Sequence, residues 1–356
     1  MTHLSQPEPA QLDASRRTAF LPESPTWEEW SRMFVDTDLW EPVVREICHR
    51  EGIPVERVTS GFPGTNAVFM LETGDNRELV IKLAPPQCRE DQHAELAIGR
   101  ALAGRVPVPD IVASGVLHDR TDWPWFIMKR MPGVAAREVR SHMPRDQWLK
   151  LCREAGRLVG GIHATPLSAV NGMDAAAAEN AWRLQWREQP AKTLARLREE
   201  QVFPEGDIAR LQSFHPQDAA AGTNAVPAPH APLSLVNADL TEDHLLVVEE
   251  AGQWRIGALI DLADGCMAPV AYEWPALWFG LLGRDREALH AFFSGYDPAW
   301  RDTPAFWTGL LAYTLAHRFG FNMLRDAVAR GTENTEPRPL EALFPEFSAA
   351  YRSWPR

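Results

Sequence analysis

The stretch from Leu233 to Asp264 reads LSLVNADLTEDHLLVVEEAGQWRIGALIDLAD, with acids set between runs that read as strands. An apolar run, Leu233 to Val236, delivers Asp239 into a polar loop, and apolar sequence resumes at Leu245 to Val248. Glu250, Ala251, Gly252 and Gln253 form a turn signal. Beyond it Trp254, Ile256, Ala258 and Ile260 alternate with Arg255, Gly257 and Leu259, the period of a half-buried strand, and the strand is expected to end at a second acid, Asp261. Two acids are thereby expected at the mouths of neighbouring strands.

Phosphoryl transfer from a nucleotide needs such a pair. The protein must orient a hydroxyl nucleophile and hold magnesium on the phosphates, and it does little covalent chemistry itself. One carboxylate in a loop suits the first task. A second at a hairpin end suits the other, because magnesium is a hard cation that prefers oxygen. Protein kinases use an Asp, four intervening residues and an Asn, followed by a metal-binding Asp in a later loop. In this chain Asp239 and His244 are spaced in the same way, and Asp261 follows within Ile260-Asp261-Leu262.

On these residues the sequence resembles the aminoglycoside phosphotransferase family of kinase-like small-molecule kinases, whose loop usually reads His-Gly-Asp with an Asn five residues after the Asp. The resemblance implies that Asp239 is the catalytic Asp and that Asp261 and His244 are metal ligands. The chain departs from the usual pattern at Asn237, Ala238 and His244, and His at that last position is similar to macrolide phosphotransferases.

Upstream, Ser60-Gly61-Phe62-Pro63-Gly64-Thr65-Asn66 is a glycine-containing turn that leads into the strand-like Ala67 to Leu71. Glycines let backbone amides approach a phosphate, and Thr65 and Asn66 are the nucleotide-contact candidates there, although the Gly-Lys-Ser ending of a P-loop is missing. The partner strand, Leu79 to Leu83, carries Lys82 inside an apolar run. Alternation would let it point to solvent. The kinase alternative has Lys82 on the phosphates, held by a helix glutamate, with Glu95 the best-placed partner and Glu90 the second.

Val106-Pro107-Val108-Pro109 reads as an extended segment, and strands are predicted at Ile111 to Leu117 and Trp125 to Met128. Lys129-Arg130-Met131-Pro132-Gly133 follows as a punctuated junction. The resemblance makes it the hinge, with Met131 at the adenine edge. Leu39-Trp40-Glu41-Pro42, Trp123-Pro124-Trp125 and Gly283-Arg284-Asp285-Arg286-Glu287 are similar to hygromycin B phosphotransferases in particular.

The 356 residues exceed the usual single-core limit, so two lobes are expected. Residues 1–25 read as a disordered tail, 26–131 as a nucleotide-binding lobe and 132–356 as a mainly helical catalytic and substrate-binding lobe. The Ala- and Pro-rich Asp218 to Pro232 reads as a connector. A break or start is expected at Asp36 and at Pro42. From Gln147 a helical face ends at His163, where a capping or core role is expected, and Gly156 and Gly160 offer a close-packing surface. Trp182, Leu184, Trp186, Leu194 and Leu197 are expected to pack along the helix Ala175 to Glu200, and most of the aromatics from Tyr272 to Phe319 to form core.

Hydrophobic content of 45% and charged content of 24% suit a globular protein. The cysteines Cys48, Cys88, Cys152 and Cys266 are scattered, which argues against a zinc site or a disulfide framework. A net charge of −12 disfavours nucleic acid and would attract cations. With no signal-like start or membrane-length apolar run, a cytoplasmic protein with no membrane partner is expected.

The sequence therefore predicts an α+β, protein-kinase-like fold with ATP and Mg2+, or Mn2+, bound between a small antiparallel-sheet lobe and a helical lobe. The expected reaction is O-phosphorylation of a small-molecule hydroxyl, with an aminoglycoside such as hygromycin B the first substrate. Alternatives are a macrolide, a housekeeping metabolite, or a non-catalytic nucleotide-binding protein.

Overall fold

A computed structural model describes residues 25–60, 64–213, 231–329, 340 and 344–347. Residues 1–24 of the expected tail, 61–63 of the glycine turn and 218–230 of the connector lie outside the described residues. The chain divides into two compact units. One holds the described residues up to Ala103 together with Pro107–Pro132, and the other holds Gly104–Val106 with those from Gly133 onward.

The first unit opens with α1 (Trp27–Met33) and α2 (Thr37–Arg50). Thr26 and Glu29 form a reciprocal capping box on α1, and the Asp36 carboxylate caps α2, each satisfying amides that a helix start leaves open. Pro42, expected as a break or start, instead lies within α2. Five antiparallel strands follow: β1 (Val55–Ser60), β2 (Ala67–Thr73), β3 (Glu78–Leu83), β4 (Ile111–His118) and β5 (Asp122–Lys129), in the order β1-β2-β3-β5-β4. Helix α3 (Arg89–Leu102) connects β3 to β4. Trp30, Trp40, Trp123 and Phe69 are fully buried where the two leading helices meet the sheet, and the Trp30 and Trp123 rings lie 5.3 Å apart.

The second unit is mostly helical. It contains β6 (Val134–Ala135), α4 (Ala136–Val139), α5 (Arg145–His163), α6 (Ala175–Glu199) and α7 (Glu205–Ser213). Next come β7 (Ser234–Val236), β8 (Leu245–Glu250), β9 (Gln253–Leu259) and β10 (Cys266–Ala268). Short helical turns between Val270 and Leu281, the last of them a π turn over Leu277–Leu281, lead into α8 (Arg286–Tyr296), α9 (Pro304–Ala316) and α10 (Gly320–Ala329). The antiparallel-sheet unit and the helical unit make the fold α+β.

The strand pairing corrects one expectation. Asp239 and Asp261 do not follow neighbouring strands: β7 pairs with β10, whereas β9 pairs with β8 in a separate sheet of order β6-β8-β9. Leu184 is a second correction. It is 46% exposed, because Trp182 and Trp186 share one helix face and a residue midway between them points away from it. Of Gly156 and Gly160, the pair expected to offer close packing, only Gly156 is needed for it, since a Cβ there would lie 2.1 Å from the Phe292 carbonyl oxygen, while at Gly160 it would meet Tyr296 at an ordinary 3.8 Å.

Candidate functional site

In the first unit, Lys82 sits mid-strand, opposite Val68 on β2 and Phe126 on β5. Its ammonium does not point to solvent. Nζ donates to Glu95 Oε2 at 2.7 Å, with the two side chains 6% and 7% exposed. Both charges are out of water, so each needs the other: removing one partner strands a buried ion. Gln92, one turn earlier on α3, donates to the Lys82 carbonyl at 3.3 Å and ties the helix to the strand. Thr65 is exposed, and its carbonyl accepts from Trp30 Nε1 at 2.6 Å. Asn66 is buried beside it, with Nδ2 on Thr65 Oγ1 at 3.3 Å. Met131 is half-buried, two residues before Gly133. That glycine adopts φ 110°, and a Cβ there would lie 2.5 Å from the Val247 carbonyl oxygen.

In the second unit, the loop after β7 is built from main-chain bonds. The Asn237 amide donates to Glu273 Oε2 at 2.7 Å, and the Asp239 amide donates to Asn237 Oδ1 at 3.1 Å. Between them Ala238 is fully buried at φ 62°, a left-handed conformation that glycine adopts without cost. A Gly in the resembled pattern at this position now has a physical reason, and Ala238 is accommodated at some strain.

His244 joins the two acids. Its Nδ1 lies 2.7 Å from the Asp239 carbonyl oxygen, and since a carbonyl can only accept, Nδ1 carries the proton. Nε2 is then the nitrogen with the lone pair, 3.8 Å from Asp261 Oδ2. The hairpin register explains the meeting: Leu245 pairs with Leu259, and the Ile260 amide continues the ladder onto the His244 carbonyl at 2.9 Å. Asp261 follows at φ 58°, a second left-handed residue after Ala238. Asp243, the acid next to His244, is paired with Arg137 at 2.5 Å.

Burial raises the Asp239 carboxyl to about 7, against the pull of His244, and repulsion from Asp264 and Asp261 adds to the rise while Arg318 opposes it. Asp264 itself pairs with Arg318 at 2.7 Å. Among the described residues no group of three or more His, Cys, Asp or Glu is preassembled for a metal. A two-donor pair, His244 Nε2 with Asp261, would leave a divalent ion to take its remaining ligands from phosphate oxygens and water, and its nitrogen suits manganese better than magnesium.

Glu273 and His317 escaped the sequence reading, whereas His163, expected to cap or to pack in the core, has a side chain only 6% exposed. Glu273 is fully buried between Tyr272 and Trp274 and anchors the Asn237 amide. His163 Nε2 lies 3.5 Å from the same carboxylate oxygen, and its Nδ1 is 2.8 Å from the Tyr296 hydroxyl. His317 is fully buried beside the Ala238 backbone, stacked on Tyr272 with ring centroids 4.4 Å apart, and burial lowers its pKa to about 3. A lone acid within the apolar run Tyr272 to Phe279 was a usable signal for Glu273, because an acid is rarely buried without a task.

Beside Asp239 opens a pocket of about 440 Å3, whose walls include Thr241, Phe279, Arg284, Phe319 and Met323.

Residues 55–306 match the family model described as the phosphotransferase enzyme family. Among solved structures the chain is similar to the GDP complex of a mutant aminoglycoside 2′-phosphotransferase-IIIa, at 15% identity over 86% of this chain and 96% of that one, TM-score 0.60. It is also similar to a thermostable mutant of aminoglycoside phosphotransferase APH(4)-Ia in ternary complex with ADP and hygromycin B, at 14% identity over 82% and 99%, TM-score 0.53. A macrolide 2′-phosphotransferase type I matches at 18% identity over 88% and 95%, TM-score 0.52. At such identities the likeness is one of fold.

Proposed function

The chain belongs to the phosphotransferase enzyme family, and from that premise we propose that it transfers the γ-phosphoryl group of ATP to a hydroxyl of a small molecule. The observation that carries this reading is the meeting of Asp239, His244 and Asp261 at the end of one hairpin. Asp239 would orient the acceptor hydroxyl and take up its proton as the O–P bond forms. A carboxyl near 7 is poised for that transfer at neutral pH.

His244 and Asp261 would hold Mg2+ or Mn2+. When bound, such an ion supplies neutralisation of phosphate charge. Lys82, kept in place by Glu95, would add positive charge at the phosphates, and Thr65, Asn66 and Met131 are the proposed nucleotide contacts. The hydrogen-bonded support beneath Asp239, through Asn237 and Glu273, favours a working loop over a non-catalytic relic.

No helix among the described residues is long and apolar enough to cross a membrane, and a cytoplasmic location fits the nucleotide proposed. For the acceptor, the net charge of −12 and the likeness of fold support an aminoglycoside such as hygromycin B. The pocket walls support a less charged molecule, a macrolide or a metabolite, and the walls are what an acceptor touches. Nucleotide turnover by purified protein against a panel of hydroxyl acceptors tests the reading. Asp239→Ala should lower kcat roughly a hundredfold while leaving nucleotide affinity nearly intact, and near-normal kcat in that variant would refute the assignment.

A further inference from the structure

The pocket beside Asp239 has walls whose chemistry can be matched against an acceptor. Helix α10 contributes Asn322, Met323, Asp326 and Ala327, which recur at helical spacing on one face. Phe279 and Phe319 add two rings. The main chain at Gly280 is pressed onto the Asp239 loop so closely that a Cβ would meet Thr241 Cγ2 at 3.0 Å and the Leu240 carbonyl oxygen at 3.1 Å. That wall therefore offers backbone and an aromatic edge, with no room for a longer side chain.

Charge is sparse and largely matched. Asp326 Oδ1 already accepts from Arg325 Nε at 2.8 Å. Arg284, the basic group on the wall, lays its guanidinium 4.5 Å over the Phe344 ring. Among the described wall residues there are two carboxylates, Asp239 and Asp326, against one guanidinium. A molecule with three or more ammonium groups would bring more cations than the two carboxylates can pair, and an unpaired charge is costly to take out of water. An apolar ligand face would instead be favoured there, because it leaves water for an apolar wall.

We propose that this pocket selects an acceptor with an apolar face and at most one positive charge, its hydroxyl turned to Asp239 and a single amine, where present, turned to Asp326. The inference rests on the phosphotransferase reading for the fate of the hydroxyl. It does not rest on that reading for binding. The volume of about 440 Å3 lies within the range of small-molecule pockets.

Calorimetric titration of the full chain with three probes tests it: octyl glucoside, neutral; octyl glucosaminide, with one amine on the same skeleton; and kanamycin, a polycation. Both alkyl glycosides, kept below their micelle concentrations, should bind at least tenfold more tightly than kanamycin. Their affinity should change less than twofold between low and high salt. Met323→Asp should weaken them tenfold or more, and Met323→Leu should leave them within twofold of wild type. Kanamycin binding as tightly as the alkyl glycosides, or alkyl-glycoside binding indifferent to Met323→Asp, would overturn the proposal. Phosphate transfer from ATP is followed on the same samples. Selective binding without transfer counts against the phosphotransferase reading and leaves the pocket assignment standing, whereas transfer to kanamycin in preference to the others defeats the pocket assignment alone.

Discussion

The amide of Ile260 donates to the carbonyl of His244 at 2.9 Å, one step beyond the last residue pair of the β8–β9 ladder. This single bond fixes which side chains stand together, because His244 and Asp261 follow directly from it. Imidazole nitrogen suits manganese better than magnesium, while an amide oxygen suits magnesium. Turnover by wild type should accordingly be favoured by manganese relative to His244→Asn, and His244→Ala should lose at least tenfold with either metal. Full activity of the Ala variant with both metals would remove His244 from the site.

Lys82 and Glu95 should show a split between stability and turnover. Lys82→Met leaves a buried carboxylate alone and should cost about 3–5 kcal/mol in urea unfolding. Adding Glu95→Leu should restore most of that stability, since a well-packed apolar pair can replace a buried ion pair. Turnover should stay low in both. A double variant that regains activity along with stability would show the pair to be structural.

The tip of the β8–β9 hairpin offers a gain. Ala251 and Gly252 occupy it with φ 51° and 74°, both left-handed, and Ala251 is exposed. Such a two-residue turn prefers Asn-Gly. Ala251→Asn should therefore raise stability by about 1 kcal/mol with kcat unchanged. Unfolding midpoints decide it, and a lower midpoint would contradict the strain argument.

His317 should make the fold acid-sensitive. Burial holds its pKa at about 3, while in the unfolded chain it titrates near 6.5. Below 6.5 the unfolded chain takes up a proton that the folded one refuses, so stability falls as pH falls, by about 1.4 kcal/mol per pH unit from this group. Urea titrations between pH 7 and 4.5 should show a shallower slope in His317→Gln. Parallel slopes would refute the linkage.

The local pattern made some of this legible and hid the rest. Asp239, Asp261 and Lys82 could be found because each interrupts or ends an apolar run, and the turn at Ala251-Gly252 announces its hairpin. The pairing of β7 with β10 could not be found, since 29 residues separate Val236 from its end at Cys266 at roughly the range where loop closure leaves no local trace. Glu273 and His317 were unread for another reason. Each lies in or just past a helical stretch whose apolar neighbours signal core, and a polar residue there becomes informative only when its partner from a distant element is known. Leu184 fails in the opposite sense, being apolar on the wet face.

Gly156 and Gly295 bring α5 and α8 together main chain to main chain: a Cβ on Gly156 would lie 2.1 Å from the Phe292 carbonyl oxygen, and one on Gly295 would lie 2.0 Å from that of Arg153. A seam of this kind has no rotamers through which to loosen by degrees. Its amides should be among the slowest to exchange with deuterium, opening only when the two helices part altogether. His163 and Tyr296, farther along the same helices and bonded to each other, stand on that seam, so the support beneath the Asp239 loop should hold its geometry on warming until the unit melts as one.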